Sequence, residues 1–303
     1  MKQITIYITS LLLAAASFSG CKEQYVTYND AEYVMFAEEQ STNMVLADQE
    51  YFTVPVASTV ACDYDRTFGV EVVDKGSNAI EGKHYRLLSN SVTIPAGELA
   101  ADVKVVGLYE NIEPIDSLGF VLKLVMPEQL KFNLYEGSDQ TKVVMYKSCP
   151  FDRNNFTGWC ILTSMLLRDY PGDNPSYQRL IRTEAHPTEP NTVILRSAFY
   201  DGYDMTITFN PENPANPLVT MDKDQVVSDE ASVFGQILGD NHILGDDSPY
   251  YTSYFNSCQR FAVLWLHVYV EDLGTPIGTV GNFYNVLEWV SDEEAERLKR
   301  EGF

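Results

Sequence analysis

Between Phe261 and Val270 the chain reads Phe-Ala-Val-Leu-Trp-Leu-His-Val-Tyr-Val, and its two alternating faces differ in chemistry. Ala262, Leu264, Leu266, Val268 and Val270 make a plain aliphatic face. Phe261, Val263, Trp265, His267 and Tyr269 make an aromatic face with polar tips. Such rings offer a flat apolar surface to a sugar ring, and their polar tips can meet its hydroxyls. The alternative is that this second face is also buried, under a loop or the final helix. Just upstream, Tyr250-Tyr251 and Tyr254-Phe255 follow the turn-like Gly245-Asp246-Asp247-Ser248-Pro249. They either form a second aromatic platform or begin the next strand. The candidate ligand-contacting residues are therefore Trp265, His267, Tyr269, Tyr250, Tyr251 and Tyr254.

Other constellations are weaker. Asp240, Asp246 and Asp247, with Asn241 and His242, offer oxygen ligands to a hard cation, but they lack calcium-loop spacing and serve equally as solvated turns. No metal site is expected. There is no Gly-x-Ser-x-Gly, His-Glu-x-x-His, phosphate loop or dinucleotide glycine pattern. The four histidines (84, 186, 242, 267) are spread along the chain. No catalytic residue and no cofactor is assigned, and the expected protein is not an enzyme. A carboxylate pair for glycoside hydrolysis stays open, because 43 acids allow many pairs.

The elements that must position these residues are read from composition and pattern. The 303 residues include 21 Lys+Arg and 43 Asp+Glu, a net charge of -22. Residues 22–147 and 148–303 are both acidic, so no single tail carries the charge. Such a field repels nucleic acid and anionic lipid. Hydrophobic residues form 45% of the chain, enough for a packed core, and 19 Tyr and 15 Phe favour strands. Cys62, Cys149, Cys160 and Cys258 allow three disulfide pairings, with free thiols an equal alternative. Their spacings match no zinc motif.

The N-terminus carries an address. Lys2 precedes an apolar stretch from about Ile4 to Ala16, too short for the roughly 20 residues a membrane span needs. Small residues then lead to Cys21, as in a secretory signal. The run Leu11–Cys21, ending Ser17-Phe18-Ser19-Gly20-Cys21, resembles a bacterial lipobox of the Bacteroidota type. The resemblance implies a lipoprotein signal peptide at 1–20, lipidation of Cys21 and a tether over 21–29. Lys22-Glu23 resembles surface-export signals. The expected address is the outer membrane, facing the cell surface, with the periplasmic face as the alternative. The membrane is then a partner through the lipid.

Period-two alternation at Phe52–Val56, Val103–Val105 and Phe120–Met126, punctuated by Pro95-Ala96-Gly97 and Glu113-Pro114, predicts about seven strands in the first half and a β-sandwich. Glu81-Gly82-Lys83-His84-Tyr85, Ser91–Glu98 and Val103-Lys104-Val105 resemble the Calx-β and related immunoglobulin-like modules over residues 30–147. His84 stands where that family carries Asp. Asp116-Ser117-Leu118 matches the short Bacteroidota O-glycosylation acceptor, which makes Ser117 a candidate modification site.

Residues 148–303 form a larger β-rich domain. Its strand candidates are the Cys160–Leu167 run, Gln178–Arg182, Thr192–Phe199, Asp204–Phe209, Pro217–Met221, Arg260–Val270 and Asn282–Val290, broken by the Pro- and Asn-rich 210–217 loop. The Phe156-Thr157-Gly158-Trp159 entry and Tyr200–Asp204 resemble C-terminal domains of uncharacterised two-domain lipoproteins from gut Bacteroidota. Ser291-Asp292-Glu293-Glu294 is a capping box opening a short exposed C-terminal helix. The fold class is all-β: an immunoglobulin-like (Calx-β-like) sandwich, then a β-rich domain with a terminal helix. Address, tandem β domains and aromatics together predict an accessory lipoprotein that binds an extracellular glycan or other nutrient, alongside other surface lipoproteins or a transporter. The alternative is a structural or adhesive envelope protein that binds another protein.

Overall fold

The computed structural model describes residues 31–132, 137–173, 176–229, 231–234, 243–272 and 275–303. Cys21, the 1–20 and 21–29 segments, and Asp240, Asn241 and His242 lie outside the described residues.

Among the described residues of the first half there are nine strands: β1 (Val34–Phe36), β2 (Gln40–Val45), β3 (Phe52–Ser58), β4 (Arg66–Val73), β5 (Tyr85–Leu87), β6 (Ser91–Ile94), β7 (Ala100–Gly107), β8 (Leu118–Val125) and β9 (Gln140–Lys147). They form two sheets, ordered β1-β3-β7-β5 and β2-β9-β8-β4-β6. All pairs are antiparallel except β2 with β9. The alternating residues behave as their period demands. Val54, Val56, Val103, Val105, Phe120, Leu122 and Leu124 are buried between the sheets. The strand count exceeds the expected seven because β1 and β5 are three residues each, too short for alternation to register.

The motif that carries the Calx-β resemblance has clear structural duties. Tyr85 stacks on Phe120 with ring centroids 3.8 Å apart, and burial pushes its hydroxyl up to about 12. His84 is buried, and its Nδ1 accepts the Ile80 N–H at 3.0 Å. It thus closes its own turn, and burial lowers its pKa. Gly97 has φ +82, the left-handed backbone a turn after Pro95 requires. Ser117 lies exposed before β8, its carbonyl accepting from Asn78 Nδ2.

The second half contains β10 (Gly158–Ser164), α1 (Met165–Asp169), β11 (Gln178–Ala185), β12 (Thr192–Arg196), β13 (Met205–Asn210), β14 (Leu218–Thr220), β15 (Gln225–Ser228), α2 (Ala231–Phe234), β16 (Ile243–Asp247), β17 (Tyr254–Asn256), β18 (Phe261–Asp272), β19 (Thr275–Val290) and α3 (Asp292–Arg300). Its antiparallel sheet closes on itself through β18-β17-β14-β13-β12-β11-β10-β19, with β19 returning to β18. Below β17 and β14, β16 pairs with the rest of β18, and β15 pairs with β16. The Gln225 amide then bonds both Thr206 backbone groups, so β15 reaches β13 as well. The result is a barrel in which two wall positions are each split into two short strands.

The barrel interior is packed with side chains, including Cys160, Leu162, Leu195, Ile207, Phe209, Leu264, Leu266, Leu287 and Trp289. Trp289 Nε1 donates to Thr183 Oγ1 at 2.9 Å, so its one polar atom is satisfied in the core. Gly245 is required here: a Cβ would lie 2.8 Å from Leu266 and 2.9 Å from Val227.

Three local expectations change, the first being that Gly245-Asp246-Asp247, read as turn-like, is the end of β16 and pairs with β18. The Cys160–Leu167 run is not one strand. Ser164 ends β10 and its Oγ accepts the Leu167 N–H, capping α1. The terminal helix is capped by Ser291 as expected, but it is docked rather than merely exposed. Ala295 is buried, and Lys299 Nζ sits 3.7 Å from the Trp159 ring, which Arg182 approaches at 4.7 Å.

Candidate ligand-binding face

β18 sorts its residues by parity. Ala262, Leu264, Leu266, Val268 and Val270 point into the barrel and are buried. Phe261, Trp265, His267 and Tyr269 are half-buried on the outside, with Val263 buried between them. Trp265 lies at a break in its neighbours. β16 pairs with β18 as far as Leu266, and β17 takes over at Val263. The connecting loop supplies what the strands leave out. Ser248 N donates to Trp265 O at 3.0 Å, and Trp265 N donates to Ser253 Oγ at 2.9 Å. Ser248 Oγ accepts from Tyr250 N and Tyr251 N and donates to Asn282 on β19.

That clamp delivers Tyr251 onto Trp265, with centroids 4.1 Å apart and planes 24° apart. Tyr284 of β19 meets the other side of this cluster edge-on to Trp265, at 5.1 Å. Tyr254 and Phe261 meet edge-to-face at 6.3 Å. Burial raises the Tyr284 hydroxyl pKa, with Tyr254 adding to it. These rings form the aromatic end of a band along the barrel wall.

The other end is polar. His267 Nδ1 lies 2.9 Å from Asp246 Oδ1, and its Nε2 lies 3.2 Å from Thr279 Oγ1. A carboxylate only accepts, so Nδ1–H donates to Asp246. Tyr269 stacks on His267 at 5.1 Å, and its hydroxyl donates to Asp224. Burial, then that bond, raises the Tyr269 pKa. Asp247 points away from the band; it accepts the Met221 N–H, and burial raises its carboxyl pKa. Among the described residues no cluster of three or more His, Cys, Asp or Glu could hold a metal ion.

The fold therefore brings five of the six expected residues, Trp265, His267, Tyr269, Tyr251 and Tyr254, to one outer face. Tyr250 stands at the loop tip, 77% exposed. The band is an open wall of the barrel. Tyr284 was missed, although its alternation with Phe283 and Asn285 was readable. Asp224 could not be read, because it lies 45 residues from Tyr269.

At the aromatic end the band meets a cleft of about 670 Å³ between the sandwich and the barrel. Leu46 and Tyr146 line it from one side, and Pro211, Pro214, Pro217, Tyr254, Phe255 and Phe261 from the other. The Cys149–Cys258 disulfide is part of its lining. The sequence marked the proline loop only as a breaker. No signal in it could show that the loop faces the sandwich.

No protein of curated function matches this chain. Solved structures with which it shares features include a Bacteroides ovatus protein of unknown function, at 10% identity over 86% of this chain and 95% of that one, TM-score 0.35. An auxiliary nutrient binding protein from Bacteroides thetaiotaomicron matches at 14% identity over 88% and 93%, TM-score 0.30. The apo-form Calx CBD1 domain matches at 14% identity over 39% and 99%, TM-score 0.32. A family model described as a domain of unknown function, DUF4984, matches residues 134–301, taking in β9, the whole barrel and α3. That match spans more than half of the chain, which therefore belongs to the DUF4984 family.

Proposed function

We propose that this protein is a non-catalytic binding protein of the cell envelope that takes an extracellular glycan on the outer band of its barrel. One observation carries the reading: the 248–253 loop holds both backbone groups of Trp265 and lays Tyr251 on its ring, beside Tyr284 and the polar His267–Asp246 and Tyr269–Asp224 pairs. Flat rings flanked by fixed donors and acceptors suit a sugar, which has apolar C–H faces and a hydroxyl rim. In the same proposal Cys21 carries the lipid, the protein faces the outside of the outer membrane, Ser117 is O-glycosylated, and a transporter or neighbouring lipoproteins receive the ligand.

Affinity gels cast with purified polysaccharides test this. Retention of the wild type by at least one of them, weakened at least tenfold in Trp265→Ala, is expected. No retention by any polysaccharide, or retention indifferent to Trp265→Ala, rejects the reading.

A further inference from the structure

We propose that the interdomain cleft is a second subsite for an uncharged aromatic group attached to the sugar, so that the ligand is an aryl-substituted oligosaccharide. The inference rests on the glycan reading above and names the ligand class of that site.

The cleft's walls are mostly apolar, with polar groups from Asp48, Lys147, Ser148, Asn256 and Ser257 as well. Leu46, Pro211, Pro214 and Phe261 offer no hydrogen-bond partners from their side chains, and an unpaired buried hydroxyl costs about 1–3 kcal/mol. They suit a planar ring, which needs contact area and few polar partners. The volume, about 670 Å³, falls in the usual range for small-molecule sites. The walls are also rigid. Pro211, Pro214 and Pro217 fix their backbone φ, and Cys149–Cys258 fastens the interdomain segment to the β17–β18 turn. A pre-shaped cleft loses little freedom when it is filled.

Continuity selects the occupant. Tyr254 and Phe261 belong both to the outer band and to the cleft. Phe261 and Trp265 lie on one face of one strand, four residues or about 13 Å apart. A sugar held beside the Tyr251–Trp265 stack and a ring beside Phe261 would therefore be spanned by a short oligosaccharide. The net charge of -22 disfavours an acidic ring.

Two measurements test the subsite. The first titrates the full mature chain with the neutral fluorophore N-phenyl-1-naphthylamine. Saturable binding is expected, weakened at least tenfold in Phe261→Ala and in Ala215→Trp. Ala215 is an exposed turn residue at the cleft, so the larger ring blocks the cleft without touching the core. The second compares 4-nitrophenyl oligosaccharides with the same unsubstituted oligosaccharides by calorimetry. The aryl compounds are expected to bind at least tenfold more tightly to the wild type and no more tightly to Ala215→Trp. Equal affinities in the wild type, or an aryl preference that survives Ala215→Trp, overturn the subsite. If unsubstituted sugars still bind through Trp265 in that case, the glycan reading stands without it. Failure of every saccharide to bind overturns both.

Discussion

Cys149, just past the last sandwich strand, is bonded to Cys258 in the turn that leads into β18. The same turn touches the sandwich itself, since Gln259 Nε2 donates to the Pro114 carbonyl and Cys258 Sγ lies 3.8 Å from the Lys147 carbonyl. The disulfide thus ties the exit of the first domain to the strand that carries the candidate site.

Its bridge spans 109 residues. Closing a loop near 100 residues lowers the entropy of the unfolded chain by up to about 4.7 kcal/mol at room temperature, and measured values cluster at about 2–4. Cys149→Ser and Cys258→Ser are each expected to lose about that much in urea unfolding, and reductant is expected to bring the wild type to the same midpoint. Thiol titration of native residues 22–303 provides the companion measurement. Half-buried Cys62 is expected to react. Cys160 is fully buried in the barrel, its thiol pushed well up by that burial, and is expected to react only after unfolding.

Asn285 is fully buried where β10 meets β19. Its Oδ1 accepts from Ser164 at 2.6 Å, and its Nδ2 donates to the Leu264 and Phe283 carbonyls. Asn285→Ala leaves the Ser164 hydroxyl without its acceptor, at about 1–3 kcal/mol, and removes one donor from each of those carbonyls. A loss of about 2–4 kcal/mol in urea unfolding is expected.

Asp247 sets a pH dependence. Burial raises its carboxyl above 3.8, opposed by the Met221 N–H and reinforced by Asp246 and Asp222. Between 3.8 and the raised value the folded chain holds a proton that the unfolded chain has released. Its contribution is therefore fully present below 3.8 and lost as pH rises through the folded value. Asp247→Asn keeps an acceptor for Met221 and removes the titration. The variant is expected to match the wild type at the acid end and to be more stable near neutrality, read from unfolding midpoints across that range.

The terminal helix is held by a ring and a cap. Lys299→Ala removes the ammonium over Trp159, worth about 0.5–1 kcal/mol at an exposed site, and Ser291→Ala removes the N-cap at about 1 kcal/mol. Both are expected to raise amide exchange along α3 while leaving β18 protected.

Much of this was legible one strand at a time. The parity of residues 261–270 separated the core face from the outer face, because successive strand side chains point to opposite sides. The capping box placed the start of α3, because its bonds are made within a single turn. The short strands β1 and β5 were not legible. Three residues carry too little pattern to compete with their neighbours, and pairing alone makes them strands.

The sequence by itself therefore determined the fold class, the two faces of β18 and the identity of most rings on the outer band. Only the tertiary structure decided that Cys149 pairs with Cys258, that β10 pairs with β19 to close a barrel, and that the 210–217 prolines stand across a cleft from Leu46 and Tyr146. The reason is range. Alternation and capping are set by neighbours a few residues apart, whereas these contacts join residues from different stretches of the chain, whose meeting depends on the packing of the whole.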